Sequence, residues 1–414
     1  MNLSKTAFEI AEKYGTPFYL AYPDRFRDNY RNFVKEFSKY YDKIILGYSF
    51  KTNYTPFLLE SIRDEGNQYF AETVSELEYE LALKVGFPGE RIILNGPIKT
   101  KSLLLNAIQH KSIINLDSLY EVEYIISLKN DNPSINIKVG LRINMEIETA
   151  NGQSAIQAGL RTSRFGFTEE TLAIAIAKLR NHGIIINSLH GHTSSTNHVV
   201  ENFQIIARKL LAVCQSYDLN DLEYLDLGGS FFGAAPKEID VTTKPSYADY
   251  AHGTFEVLFE NSWFNKIKPY VVIEPGASVV TNVFEFITKI YQHKKIGHQH
   301  YIMVDGSIFQ VRLLGSKSNF PFQVYSQNSE QPKILATVVG STCMEIDQLA
   351  NDIVLNHYEH GDLICFKAEG AYRMNMTPQF INRRAPIITI NETGNYDLMR
   401  GRQTVDDFYN SIYQ

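Results

Sequence analysis

Lys51 closes the run KIILGYSF, so a strand ending there delivers its amine into a buried mouth and not out to solvent. Such a lysine is costly unless it is used: desolvation favours the neutral amine, which condenses with an aldehyde to a Schiff base. A lysine that merely ends a strand and snorkels to water is the competing reading. Glu274 ends a second apolar run, YVVIE, just before Pro275 and Gly276. A carboxylate at the rim of a buried strand needs a partner, and either a protonated ring nitrogen or a structural arginine would supply one. In the first case the carboxylate holds the ring proton in place and keeps the ring a strong electron sink.

Two further segments carry chemistry. LDLGGSFFG (225–233) sets Gly228 and Gly229 directly after a strand, with Ser230 third, where backbone N–H groups without side chains can approach an anion such as a phosphate. A plain Gly-Gly turn is the alternative. LHGHTSS (189–195) puts His190 and His192 on one side of a strand, with Thr193, Ser194 and Ser195 as hydroxyl donors beyond them. One imidazole could stack on a flat ring. A two-histidine metal site lacks a nearby acidic residue or cysteine to complete its ligand set, so no metal is expected.

These residues need elements to hold them. Apolar or β-branched runs recur at 43–50, 68–71, 91–95, 112–116, 136–143, 184–190, 223–227 and 270–274. Segments of helical period, such as 55–65, 74–85 and 200–215, lie between them. About eight strand–helix units predict a (β/α)8 barrel, with a doubly wound open sheet as the alternative. Polar residues stand at the ends of the runs: Lys51, Glu72, Asn95, Asp117, Arg142 with Asn144, His190 with His192, and Glu274. In a barrel those ends converge on one face and surround a single ligand. From about 278 onward, β-branched runs at 278–291, 301–304, 333–339, 362–367 and 386–390 predict a β-rich second domain. TPFYLAY (16–22) is strand-like and fits either domain.

Composition narrows the partners. The chain has 414 residues and a formal net charge of -6, without the clustered basic excess that phosphate-backbone binding demands, so nucleic acid is not expected. Cys214, Cys343 and Cys365 match neither a disulfide framework nor a metal pattern and suit a reducing compartment. No apolar run approaches a membrane span and none near the start reads as a leader, so a cytoplasmic protein without membrane contact is expected.

Together the segments resemble the fold-type III pyridoxal-phosphate decarboxylases, the group containing diaminopimelate, ornithine and arginine decarboxylases. YSFKTN (48–53) resembles the Schiff-base lysine motif, HGHTSS the histidine motif, LDLGGSF the phosphate loop and EPG (274–276) the glutamate motif. GSTCMEID (340–347) and EGAYRMNM (369–376) resemble the cysteine and Gly-Ala-Tyr motifs. The resemblance implies pyridoxal 5'-phosphate carried by Lys51, a ring stacked by His192, and Glu274 on the pyridine nitrogen. It implies phosphate contacts from Ser195, Gly228, Gly229, Ser230, Gly276 and Tyr372. It also implies a homodimer with shared sites, in which Cys343 reaches the partner's site and protonates the carbanion left after carbon dioxide departs. The domains it implies are a barrel over 25–277 and a β-rich domain from 1–24 and 278–414.

Several positions depart from the family pattern. Ala277 stands where an arginine commonly follows EPG, and Met344 follows the cysteine where many members have an acid. Glu345 is displaced by one position. Free diaminopimelate, lysine or ornithine therefore fits poorly, and a modified or conjugated amino acid, as in specialised pathways, is expected. Arg312 and Arg373 remain as candidate anion contacts. A racemase or epimerase on the same scaffold is disfavoured by Glu274, because racemases of this fold place an arginine near that nitrogen. A non-catalytic cofactor-binding protein is the third reading.

Overall fold

The computed structural model describes residues 3–147, 154, 156, 160–194, 197–236, 244–311, 319–376 and 378–413. The chain divides into two compact units. One comprises chiefly Asn29–Gly233 and Thr242–Ser278, and the other chiefly Met1–Asp28 and Val279–Gln414.

In the first unit eight parallel strands close into a barrel in the order β2 to β9. They are β2 (Ile44–Ser49), β3 (Tyr69–Thr73), β4 (Ile92–Leu94), β5 (Ile113–Leu116), β6 (Lys138–Ile143), β7 (Ile185–Gly191), β8 (Tyr224–Asp226) and β9 (Tyr270–Ile273). β9 returns to pair with β2 through Ile44↔Val271 and Leu46↔Ile273. All eight match the expected runs. Their near-continuous burial explains why: parallel strands covered on both faces read as unbroken apolar stretches. Helices Pro56–Glu65, Glu76–Lys84, Lys101–Gln109, Glu169–Asn181 and Val200–Ser216 follow strands. Ser75, Thr100 and Thr168 cap three of these helices by accepting a backbone N–H three residues on. The barrel tolerates an inward polar layer because Gly140 makes room for it. A Cβ there would lie 2.1 Å from Asn115 Oδ1.

The second unit is built on a nine-stranded sheet. β1 (Phe18–Ala21) belongs to this sheet, antiparallel to β10 (Phe284–Ile296) and parallel to β16 (Ile387–Ile390), which settles the placement of TPFYLAY. β11 (Gln299–Val304), β12 (Phe322–Tyr325), β13 (Ile334–Val339), β14 (Gln348–Leu355), β15 (Leu363–Phe366) and β17 (Tyr396–Arg400) complete it. Its core gathers Ala7 and Ile10 from helix Leu3–Tyr14 with Phe18, Leu20, Ile287, Leu363, Cys365 and Ile388. One expectation needs correction here: 278–283 is not strand, since Ala277–Val280 is helical and Thr281–Val283 forms a 3-10 turn. β12, β14, β17 and helix Val405–Tyr413 went unread. β14 contains Asn-Asp, and Asp352 takes a left-handed φ of 51° that interrupts the alternation. Among the described residues no helix is long and apolar enough to cross a membrane.

Candidate active site

Lys51 sits in the single 3-10 turn Phe50–Thr52 that follows β2. Its Nζ donates to Glu72 Oε2 at 2.5 Å and to Ser49 Oγ at 3.4 Å. Glu72 is almost inaccessible on β3, and its other oxygen accepts from Asn95 Nδ2 at 3.0 Å. The same Asn95 amide donates to Glu274 Oε1 at 2.6 Å. A hydrogen-bonded chain Lys51–Glu72–Asn95–Glu274 therefore joins the amine to the carboxylate. A second layer supports it. Asn115 Nδ2 donates to Asn95 Oδ1 at 2.9 Å, and Ser188 Oγ donates to Asn115 Oδ1 at 2.8 Å.

The histidine side of the barrel is tied to the glycine turn. Gly229 N–H donates to His192 Nδ1 at 3.0 Å, which assigns the ring proton to Nε2 and leaves a neutral imidazole. Burial, then Arg142 and Lys51, hold His192 well below the ordinary histidine range, in agreement. Gly228 N–H donates to Asp226 Oδ1 at 2.9 Å, and Glu274 N–H donates to Gly228 O at 2.8 Å. Both glycine N–H groups expected to face an anion are thus engaged inside the barrel. What these glycines provide is clearance: a Cβ on Gly229 would lie 2.3 Å from Glu274 O, and Gly228 takes φ 66°. Ser230 adopts φ 82°, a conformation a glycine reaches without steric cost.

His190 Nε2 lies 3.6 Å from Glu274 Oε2. His190, Asp226 and Glu274 each place one ligating atom within 4.8 Å of the others. The expectation that no acid lies near the histidines is corrected, because strand closure brings two carboxyls to His190. Burial raises Asp226 well above the carboxylate range, and Glu274 raises it further. Burial pushes Glu274 up too, but His190 and Lys51 outweigh it and hold it low. Arg142 ends in a buried pair with Asp117 at 3.5 Å.

Most of the other expected residues belong to the second unit. Cys343, Met344 and Glu345 are exposed on a turn of the second unit. That turn is organised by buried Asp347, whose carboxylate accepts Ile308 N–H at 2.6 Å and Thr342 N–H at 3.0 Å. Tyr372 stands at φ 58° beside Gly370, where a Cβ would meet Val280 O at 1.8 Å. Arg373 is buried and lies 3.2 Å from Glu369, whose carboxyl burial raises well above the usual range. Gly276 follows β9, and a Cβ on it would lie 2.2 Å from Thr52 Oγ1. Ser195 and Arg312 lie outside the described residues. Asp226, Asn115, Ser188 and Asp347 were not singled out by sequence reasoning. For the first three the available signal was a polar residue inside an otherwise apolar barrel strand; Asp347 had none.

The chain resembles known proteins over nearly its whole length. It is 26% identical over 409 residues to diaminopimelate decarboxylase of Aquifex aeolicus, covering 96% of this chain and 92% of that one. It is 26% identical over 429 residues to the L-glutamyl-BtrI acyl-carrier protein decarboxylase of Niallia circulans, covering 98% and 96%. The crystal structure of diaminopimelate decarboxylase from Helicobacter pylori complexed with L-lysine superposes with a TM-score of 0.84 at 23% identity, covering 98% of both chains, a likeness of fold. The family model described as pyridoxal-dependent decarboxylase, pyridoxal binding domain, matches residues 24–281. The chain therefore belongs to the pyridoxal-dependent decarboxylases, carboxy-lyases whose cofactor is pyridoxal 5'-phosphate.

Proposed function

We propose that the barrel mouth decarboxylates an amino acid carried as a conjugate, with Lys51 as the covalent attachment point of pyridoxal 5'-phosphate. The observation that carries this reading is the continuous chain from Lys51 through Glu72 and Asn95 to Glu274. It links an amine and a carboxylate that both stand at the ends of barrel strands, which supports a flat ring held between them. The lining fits such a group. Thr52 Oγ1 and both ring nitrogens of His190 are buried polar atoms without a hydrogen bond to protein. Gly228, Gly229 and Gly276 allow close backbone approach around it, since a Cβ on each would collide with neighbouring atoms.

When bound, the cofactor supplies an electron sink for the pair left on Cα as carbon dioxide departs. The chain's residues do the rest. Glu72 Oε2 takes and returns the proton of Lys51 Nζ. Neutral His192 offers an uncharged face for stacking. Ionised Glu274 holds a proton on the ring nitrogen opposite it. Ser195, Ser230, Gly276 and Tyr372 hold the phosphate, with Gly228 and Gly229 shaping the turn. Cys343 of a second copy returns a proton to Cα in a homodimer, and its exposure on this chain is consistent with that role. Three free cysteines suit the cytoplasm.

Ala277 and Met344 support the conjugated substrate, because each removes a charge that would hold a free diamino acid. The Niallia circulans relative, whose name specifies a carrier-protein-bound glutamyl group, supports the same class. The test is carbon dioxide release from a panel of free and carrier-protein-bound amino acids. Release from conjugates and not from free diaminopimelate, lysine or ornithine is expected. Turnover of a free diamino acid at comparable kcat/KM rejects the conjugate. For the shared site, mixing Lys51→Ala with Cys343→Ala should restore about a quarter of wild-type activity, since random pairing leaves that fraction of sites intact. No recovery rejects it.

A further inference from the structure

Glu72, Asp226 and Glu274 are each 3% exposed or less, and among the described residues the cations facing them are Lys51 and Arg142. Lys51 bonds Glu72, and Arg142 pairs with Asp117. Asp226 and Glu274 end adjacent strands and, with His190, bring their ligating atoms within 4.8 Å. Two buried carboxyls at that range do not both ionise. The hydrogen bonds decide which one does. Glu274 Oε1 accepts from Asn95 at 2.6 Å and its Oε2 faces His190 at 3.6 Å. Asp226 Oδ1 accepts Gly228 N–H at 2.9 Å, its Oδ2 has a long contact, 3.4 Å, from Asn115, and its carboxyl is hydrogen-bonded to Glu274.

We propose that Asp226 is a positioning residue that enters the site as a neutral acid, donating its carboxyl proton to Glu274 while its other oxygen anchors the Gly228–Gly229 turn against His192. Glu274 is thereby kept ionised and aimed, and the turn that fixes the His192 tautomer is locked to the same unit. Burial and the neighbouring Glu274 raise Asp226, in the same direction. Glu72 adds to that push, while Arg142, Lys51, His190 and His192 share the surroundings. The catalytic consequence rests on the proposed place of Glu274 at the cofactor nitrogen. The location of the proton does not.

Asp226→Asn keeps an acceptor for Gly228 and a neutral donor for Glu274, whereas Asp226→Ala removes both. With the full chain labelled at aspartate carboxyls and loaded with cofactor, infrared spectra at neutral pH should show a protonated-carboxyl stretch that Asp226→Asn abolishes. Because a buried neutral acid must take up a proton on folding, the thermal midpoint of the Asn variant should rise relative to wild type between pH 5 and pH 8 by about 2 °C or more. Asn should also rescue cofactor affinity lost in Ala and flatten any alkaline decline in kcat/KM. Absence of the aspartate band from wild type overturns the proposal even if the variants fail to fold. So does an Asn variant less stable at pH 8 than at pH 5 relative to wild type, or stoichiometric zinc bound with loss of the band. Failure of every substrate to release carbon dioxide, with the band present, rejects the functional reading and leaves this one standing.

Discussion

Lys99 and Lys51 each follow a barrel strand and each pairs with a buried glutamate, yet the two sites have opposite characters. Lys99 and Glu121 have side chains 0% exposed. Lys99 Nζ reaches Gly96 O at 2.7 Å and both Glu121 oxygens at 3.2 Å. Glu121 also accepts Asp117 N–H at 2.6 Å and Tyr120 O–H at 3.0 Å. Lone pairs and protons there are consumed by the fold, and nothing can enter without unfolding it. Lys51 bonds an equally buried Glu72, but its own side chain is 35% exposed. The same ion pair is a structural clasp when sealed and a reactive amine when its outer end meets the barrel mouth. Burial of the acid sets the proton's destination, and access to the amine sets whether chemistry follows.

That contrast can be broken experimentally. Lys51→Ala should lower decarboxylation by at least about 10³-fold and remove borohydride-sensitive visible absorbance. Its unfolding free energy should fall by less than that of Lys99→Met, since Lys51 is 35% exposed and buried Glu72 keeps its hydrogen bond from Asn95. Lys99→Met should do the reverse. Chemical denaturation should show a loss of about 3–5 kcal/mol, because Glu121 is left buried without its cation, while folded protein still binds cofactor. A Lys99→Met variant as stable as wild type would show that the sealed pair is not a clasp.

Glu72→Gln sharpens the comparison by keeping shape and removing the proton acceptor. It should cost about 10²-fold in kcat/KM with little change in stability, measured by steady-state kinetics and thermal unfolding. Glu78 tests burial where desolvation outweighs the nearby Lys51 charge. It lies in the helix after β3, accepts Val74 N–H at 2.8 Å, and burial lifts its carboxyl to about 7. The folded state thus favours the protonated form, so this contribution is complete below about pH 4.3, the unfolded value, and fades as pH rises through about 7. Glu78→Gln should leave stability at acid pH unchanged and raise it at pH 8 by on the order of 1 kcal/mol. A variant destabilised equally at all pH values would contradict that.

Legibility differed sharply between layers. All eight barrel strands could be read because both of their faces are covered, and Lys51, His192 and Glu274 stood out as polar residues where such runs stop. The sheet of the second unit was harder. β14 breaks its pattern at Asp352, and β17 is largely exposed, so neither offered clean alternation. The β-branched stretch after Gly276 read as strand, whereas Ala277–Val283 turns helical before β10 begins. Within the site, Asp226 sits in a three-residue strand, and a single acid there reads as solvent-facing. The glycine N–H groups were assigned to an anion because Gly229's partner, His192, comes from another strand, and because the turn that brings Gly228 N–H back to Asp226 two residues earlier is not visible in the sequence.

Residue order by itself determined where strands end and which reactive groups stand at those ends, because burial on two faces writes itself into local composition. It also set the absence of charge at Ala277 and Met344. Only the closed barrel decided that Asn95 would link two carboxylates from distant strands, that His192 would be neutral, and that Asp226 and Glu274 would compete for one proton. Those outcomes depend on desolvation and on neighbours across the barrel, and neither quantity exists in any contiguous stretch of the chain.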